Sequence, residues 1–165
     1  MKRLFLIRHA KSSWGDPDRA DIDRPLNERG KRDAPVMGER LKKEHKAKPD
    51  LIISSPAKRA LRTAKIIATA LDYPEGKIEI KASLYASGVP AMLDVIRHLD
   101  DSLGEVMLFG HNPDLTSLAN YLSNQQVENI PTCGIFCVDF DIKSWKDMKN
   151  QKGIFKFFDY PKKHF

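Results

Sequence analysis

Short apolar runs recur along the chain, and most are followed by segments whose apolar positions return every three to four residues. The run Leu4-Phe-Leu-Ile reads as a buried parallel strand, because a strand covered on both faces loses the polar alternation of a half-exposed one. Arg8 and His9 fall at its carboxyl end. Residues 10–25 carry Gly15, Pro17, Pro25 and several Asp, the composition of a loop. Asn27 is placed to cap a helix running to about His45, with Val36, Met37, Arg40 and Leu41 in helical spacing. Pro35 is expected to kink that helix or to mark a later true start, since it cannot donate to the preceding turn.

The plan then repeats. Asp50-Leu-Ile-Ile predicts a second strand, Ser54-Ser-Pro a turn, and 57–71 a helix. Residues 72–77 read as a turn, 78–80 as a short strand, and 89–99 as a helix with Leu93, Ile96 and Leu99 inward. Val106-Met-Leu-Phe predicts a strand ending at Gly110-His111, after which Asn112-Pro113 opens a helix to about Leu122. Residues 135–140 and 154–158 predict two late strands forming a hairpin. Alternating strands and helices imply an α/β fold in three layers, a mainly parallel central sheet with helices on both faces. No repeat or linker interrupts residues 1–165, and a chain of this length fits one domain.

Composition narrows the function classes. The 41% hydrophobic and 30% charged residues are those of a globular protein rather than a disordered chain. The net charge of +6 suits an anionic ligand. Nucleic acid is not expected, because the basic residues are scattered, rarely interleaved with aromatics, and form no recognisable nucleic-acid module. The apolar run before Arg8 is too short for a signal peptide, and no segment approaches the ~20 apolar residues of a membrane span. A cytoplasmic, membrane-free protein is the expectation. Cys133 and Cys137 read as one-face neighbours on a strand, too far apart to bridge, hence buried free thiols. No second pair of ligand-spaced Cys or His accompanies them, so no metal and no cofactor are expected. The tail 160–165 reads as a solvated end.

In open α/β sheets ligands bind beyond the carboxyl ends of the strands. The first strand delivers Arg8 and His9 there, the second is followed by Arg59 early in its helix, and a later strand delivers His111. Taken singly, each reads as a surface charge or a turn residue. Two Arg and two His at matched strand ends make an anion site instead, in which a phosphate meets bidentate Arg contacts and imidazole donors. Such a site has catalytic potential, because a histidine with one unprotonated nitrogen attacks phosphorus.

At these residues the chain resembles the histidine phosphatase superfamily, and within it the short SixA-type phosphohistidine phosphatases. Arg8-His9-Ala10 resembles the Arg-His-Gly signature, Asp23-Arg-Pro-Leu-Asn-Glu-Arg-Gly30 the segment that follows it, Ser54-Ser-Pro-Ala-Lys-Arg-Ala-Leu-Arg-Thr-Ala64 the second motif, and Gly110-His-Asn-Pro113 the third. The resemblance implies a phosphoglycerate mutase-like fold and a metal-independent phosphatase with a phosphorylated intermediate on His9. Arg8, Arg59 and His111 would contact the phosphoryl group, with Ser12 and Asn112 as further substrate contacts. Ser12 stands where many members have Thr, and Gly15 where many have Asn. Ala10 in place of Gly implies that the backbone there needs no positive φ.

Many members carry a Glu near 84–88 that protonates the leaving group, whereas Leu84-Tyr-Ala-Ser-Gly88 holds no carboxylate. Asp18, Asp21 and Asp23 are the remaining candidates for a general acid. Imidazole leaves phosphorus with less acid assistance than an alkoxide, so the missing carboxylate points to phosphohistidine on a signalling or phosphotransfer protein. Two other readings stand beside it: a phosphatase of a small phosphoester or nucleotide, and a phosphate-binding module without turnover.

Overall fold

Leu4, Phe5, Leu6 and Ile7 are all fully buried, and they divide by alternation between two apolar clusters, Leu4 and Leu6 in one and Phe5 and Ile7 in the other. A strand buried on both faces belongs in the middle of a sheet. The computed structural model describes residues 1–164 and places it there. The strands are β1 (Lys2–Arg8), β2 (Leu51–Ser54), β3 (Glu79–Ile80), β4 (Glu105–Gly110), β5 (Ile135–Phe140) and β6 (Ile154–Asp159), in the order β3-β2-β4-β1-β5-β6. The first four run parallel, whereas β5 is antiparallel to both β1 and β6.

Helices α1 (Glu28–Lys43) and α2 (Lys58–Ala70) cover one face, contributing Ala34, Met37, Leu41, Ala64 and Ile67 to the cluster of Phe5 and Ile7. Helices α3 (Gly88–Arg97) and α4 (Asp114–Leu122) cover the other, with Met92, Leu93, Ile96, Leu115 and Leu118 against Leu4 and Leu6. This is the three-layer α/β arrangement that the sequence predicts. Register, more than layer count, decides where the polar residues beyond the strands gather. Arg8 pairs with Gly110, and Ser54 with Phe109, so β1, β2 and β4 end level with one another. The residues next in chain after those three strands are therefore delivered to one edge.

Four local expectations change. Pro35 lies inside α1 and does not mark a later start, since Asn27 caps the helix by accepting from the Gly30 N–H. The proline ring is on the exposed face, where water satisfies the carbonyl it leaves unpaired. Cys133 precedes β5 and adopts a positive φ of 60°, so it is a turn residue and not a strand neighbour of Cys137; both thiols are free and buried. The β5 and β6 strands do pair, but a connection containing a 3-10 turn at Trp145–Asp147 separates them, so they form no tight hairpin. The tail is partly docked rather than solvated: Pro161 is buried and the Lys163 ammonium donates to the Phe158 carbonyl. Phe165 lies outside the described residues. No helix among the described residues is long and apolar enough to cross a membrane.

Candidate active site

His9 comes directly after β1 and is held by its backbone on two sides. Its N–H donates to the Gly110 carbonyl of β4, and its carbonyl accepts from Cys133 ahead of β5. The ring is buried, and Nδ1 lies 2.7 Å from the Ala10 carbonyl. A carbonyl only accepts, so Nδ1 carries the proton and Nε2 keeps its lone pair. Ala10 has no positive φ, as its side chain requires, and its N–H donates to Thr63 Oγ1 at 3.0 Å. Thr63 donates in turn to the Arg59 carbonyl, so α2 and the turn after β1 are tied together beneath the site.

Burial lowers the His9 pKa to about 3, with the nearby His111, Arg59 and Arg8 pushing the same way and the Ala10 carbonyl opposing them. His111 comes directly after β4, its ring centre 5.2 Å from that of His9. Burial and Arg59 lower its pKa to about 4. Its Nε2 is 2.8 Å from Ser55 Oγ, which already accepts from the Ala57 N–H. Ser55 Oγ keeps a second lone pair and its own hydrogen, so it pairs with either tautomer of His111; in the tautomer with the proton on Nδ1, the serine hydroxyl donates to Nε2 and an N–H remains for an anion.

Arg59, in the first turn of α2, is almost wholly buried, while Arg8 is half-buried and donates to the Ile130 carbonyl at 3.1 Å. Three nitrogens in this group, Arg8 Nε, Arg59 Nε and His111 Nδ1, are buried with no hydrogen-bond partner among the described residues. Leaving one such donor unpaired costs about 1–3 kcal/mol, more for a charged group. Three together beside an imidazole with a free lone pair are able to seat a multiply charged oxyanion.

Asp21 has a different place from the one its sequence position suggests. Its Oδ2 accepts from Tyr85 Oη at 2.6 Å and Arg59 Nη2 at 3.0 Å, and Oδ1 accepts from Arg24 Nε at 3.0 Å. The Tyr85 hydroxyl and the two guanidinium groups hold this carboxyl well below the usual carboxylate range, against partial burial. A carboxylate clamped in its charged form holds no proton to donate, so this geometry speaks against Asp21 as the general acid. Asp18 and Asp23 are exposed loop residues, and no contact ties either to His9.

Ser12 is buried and accepts from Arg24 Nη1 at 2.8 Å, and it forms an isolated antiparallel bridge with Leu26 that closes the base of the loop. Asn112 is spent internally. Its amide donates to Asn129 Oδ1 and the Ile130 carbonyl, and its Oδ1 accepts from the Thr116 N–H and hydroxyl. It fixes the 129–130 segment that receives Arg8 and has no free polar atom for substrate. Arg24, Ser55, Thr63 and Tyr85 are absent from the sequence-based set. Arg24 lies in the segment Asp23-Arg-Pro-Leu, and Ser55 and Thr63 lie in the segment Ser54–Ala64, so the motifs carried a signal for these three, whereas Tyr85 falls in the segment 84–88 that was read only for its missing carboxylate. Among the described residues no group of three His, Cys, Asp or Glu could hold a metal ion.

Comparison with known proteins bears on this arrangement. The profile of the histidine phosphatase superfamily (branch 1) matches residues 4–85, which include Arg8, His9, Arg59 and Tyr85. An uncharacterised chloroplastic protein of Arabidopsis thaliana is 30% identical over 157 residues, 88% of this chain and 70% of its own length. Phosphoserine phosphatase 1 of Hydrogenobacter thermophilus is 43% identical over 72 residues, 42% of this chain and 33% of its own. A solved structure assigned as the phosphohistidine phosphatase SixA of Agrobacterium tumefaciens superposes with a TM-score of 0.83 at 26% identity, covering 97% of this chain and 98% of that one.

Proposed function

The chain belongs to the histidine phosphatase superfamily, in its SixA-type group, and from that premise we propose that it hydrolyses phosphohistidine on a signalling or phosphotransfer protein through a covalent intermediate on His9. The observation that supports the reading is the set of three unpartnered buried nitrogens, on Arg8, Arg59 and His111, near a histidine whose Nδ1 is taken by the Ala10 carbonyl and whose Nε2 keeps its lone pair.

That set supports the following chemistry. His9 Nε2 attacks phosphorus, the bond from phosphorus to the substrate imidazole breaks, and that imidazole leaves neutral when its distal nitrogen already carries a proton. Water then attacks the phosphorus on His9, and Nε2 leaves with its lone pair restored. Arg8 and Arg59 neutralise charge on the equatorial oxygens and His111 donates a hydrogen bond to them in both steps, and such positioned donors are worth about 10²–10³ each in rate. Because two guanidinium groups supply the positive charge, no divalent metal enters the mechanism.

Two features favour an imidazole leaving group over an alkoxide. No carboxyl group stands ready to protonate a basic oxygen, and the charged Asp21 repels leaving groups that are themselves anionic while accepting from an N–H. The identity to a phosphoserine phosphatase over 72 residues favours a second reading, hydrolysis of a small phosphoester. Steady-state turnover of a phosphohistidine protein, an aryl phosphate and an alkyl phosphate, with and without chelator, separates the two. The phosphohistidine reading predicts that activity falls in that order and survives chelation. Preference for the alkyl ester would establish the second reading in its place.

A further inference from the structure

Trp14 is 75% exposed, the largest apolar side chain left open among the described residues. It is nonetheless fixed, because its ring lies 3.5 Å from the Arg24 guanidinium carbon, in cation–π contact. Arg24 is buried beneath it and bonded to Ser12 and Asp21, and Asp21 is bonded to Arg59 of the phosphate seat. Three contacts thus join an open indole to the catalytic cations. A solvated Trp costs hydration free energy, and pre-ordering one on an arginine is what an interface anchor needs, since little side-chain entropy remains to be lost on binding.

The surrounding loop has its own charge. Residues 14–21 are all exposed, and Asp16, Asp18 and Asp23 present carboxylates beside Arg19. On a chain with a net charge of +6 this is an acidic rim beside a cationic pocket, joined to it through Asp21 and Arg59. Such a rim repels nucleic acid and other polyanions and attracts basic side chains, while the pocket beneath admits one phosphoryl group. The loop is pinned at its base, where Ser13 donates to the Pro25 carbonyl and Asn27 to that of Lys11, so the platform keeps its position relative to His9.

We propose that Trp14 and the acidic loop 14–23 form a docking platform for a polypeptide whose phosphorylated residue is flanked by basic side chains. The proposal rests on the reading of His9 as nucleophile only for the destination of the phosphoryl group. The indole packs on the partner's backbone and aliphatic stems, and Asp16, Asp18 and Asp23 meet its Lys and Arg.

The test compares three probes: a phosphohistidine peptide flanked by Lys and Arg, one of equal length flanked by Glu, and phosphoimidazole. For the wild-type protein the basic peptide should show the lower KM of the two peptides. Trp14→Ala should raise KM for the basic peptide about tenfold, while turnover of phosphoimidazole stays within about twofold. Replacing Asp16 and Asp18 together by Asn should narrow the gap between the basic and acidic peptides. An unchanged KM for the basic peptide, a preference for the acidic one, or an equal loss on phosphoimidazole, which would make Trp14 a mere support for Arg24, overturns the proposal.

Should the wild-type protein release phosphate from none of the three, the phosphatase reading fails and the platform is still tested by binding. Trp145 is fully buried, so a change in indole fluorescence on titrating the basic peptide reports on Trp14. Its absence overturns the platform separately.

Discussion

A histidine attacks phosphorus only while its outward nitrogen is unprotonated, and burial beside two arginines keeps His9 in that state with a pKa of about 3. An ordinary histidine near 6.5 would be half charged in mildly acidic solution. The ring signals of His9 and His111 should therefore not titrate between about pH 8 and 5 in anion-free buffer, as followed by nitrogen-detected NMR. A midpoint near 6.5 for His9 would contradict this view of its environment. Asp21 makes a second test at the same scale. As an anion Asp21 accepts from Arg59, and on the proposed reading, in which it positions that cation and donates no proton, Asp21→Asn should lower kcat for a phosphohistidine substrate without moving either limb of the pH profile. Loss of a basic limb would restore it as the acid. The four residues Arg8, His9, Arg59 and His111 were legible in the sequence because each sits at or just after a strand end. The Asp21, Arg24 and Tyr85 clamp was not, because it depends on how a loop of Gly, Pro and Asp closes, and no periodicity governs that.

The strands place the chemistry, and the helices hold the strands' ends in place. Fully apolar runs announced β1, β2 and β4, and their level ends come from parallel pairing. The later start that Pro35 suggested for α1 was misjudged, because the capping Asn27 sets the first turn and Pro35 lies beyond it. One contact between elements has a measurable consequence. A Cβ at Gly30, in the first turn of α1, would overlap the Lys11 carbonyl two residues beyond His9. Gly30→Ala must therefore push α1 away from the turn that orients His9 through Ala10. Overpacking of this kind costs about 1–3 kcal/mol, so a fall in Tm of several degrees with a larger fall in kcat than in substrate affinity is the expected result. Unchanged kcat would separate α1 from the positioning of His9.

At the scale of the whole molecule, the six strands and four α-helices of the described residues put their cations and imidazoles at one edge, and a loop carrying an open indole and exposed carboxylates stands over it. The same burial that keeps the two imidazoles neutral makes the fold sensitive to acid. His9 and His111 stay neutral when folded but take up protons near 6.5 when unfolded, so the unfolded state binds more protons below that pH, and their contribution to stability falls as pH drops from about 6.5 toward 3. All of this turns on covalent attack by His9. The most direct measurement is to mix the protein with a radiolabelled phosphohistidine substrate, quench in alkali, and assay the protein for bound phosphate that is stable to base and released by acid. Covalent attack predicts label on His9 in the wild-type protein and none in His9→Ala. Substrate turnover with no label trapped at any quench time, or label that persists in His9→Ala, would contradict it.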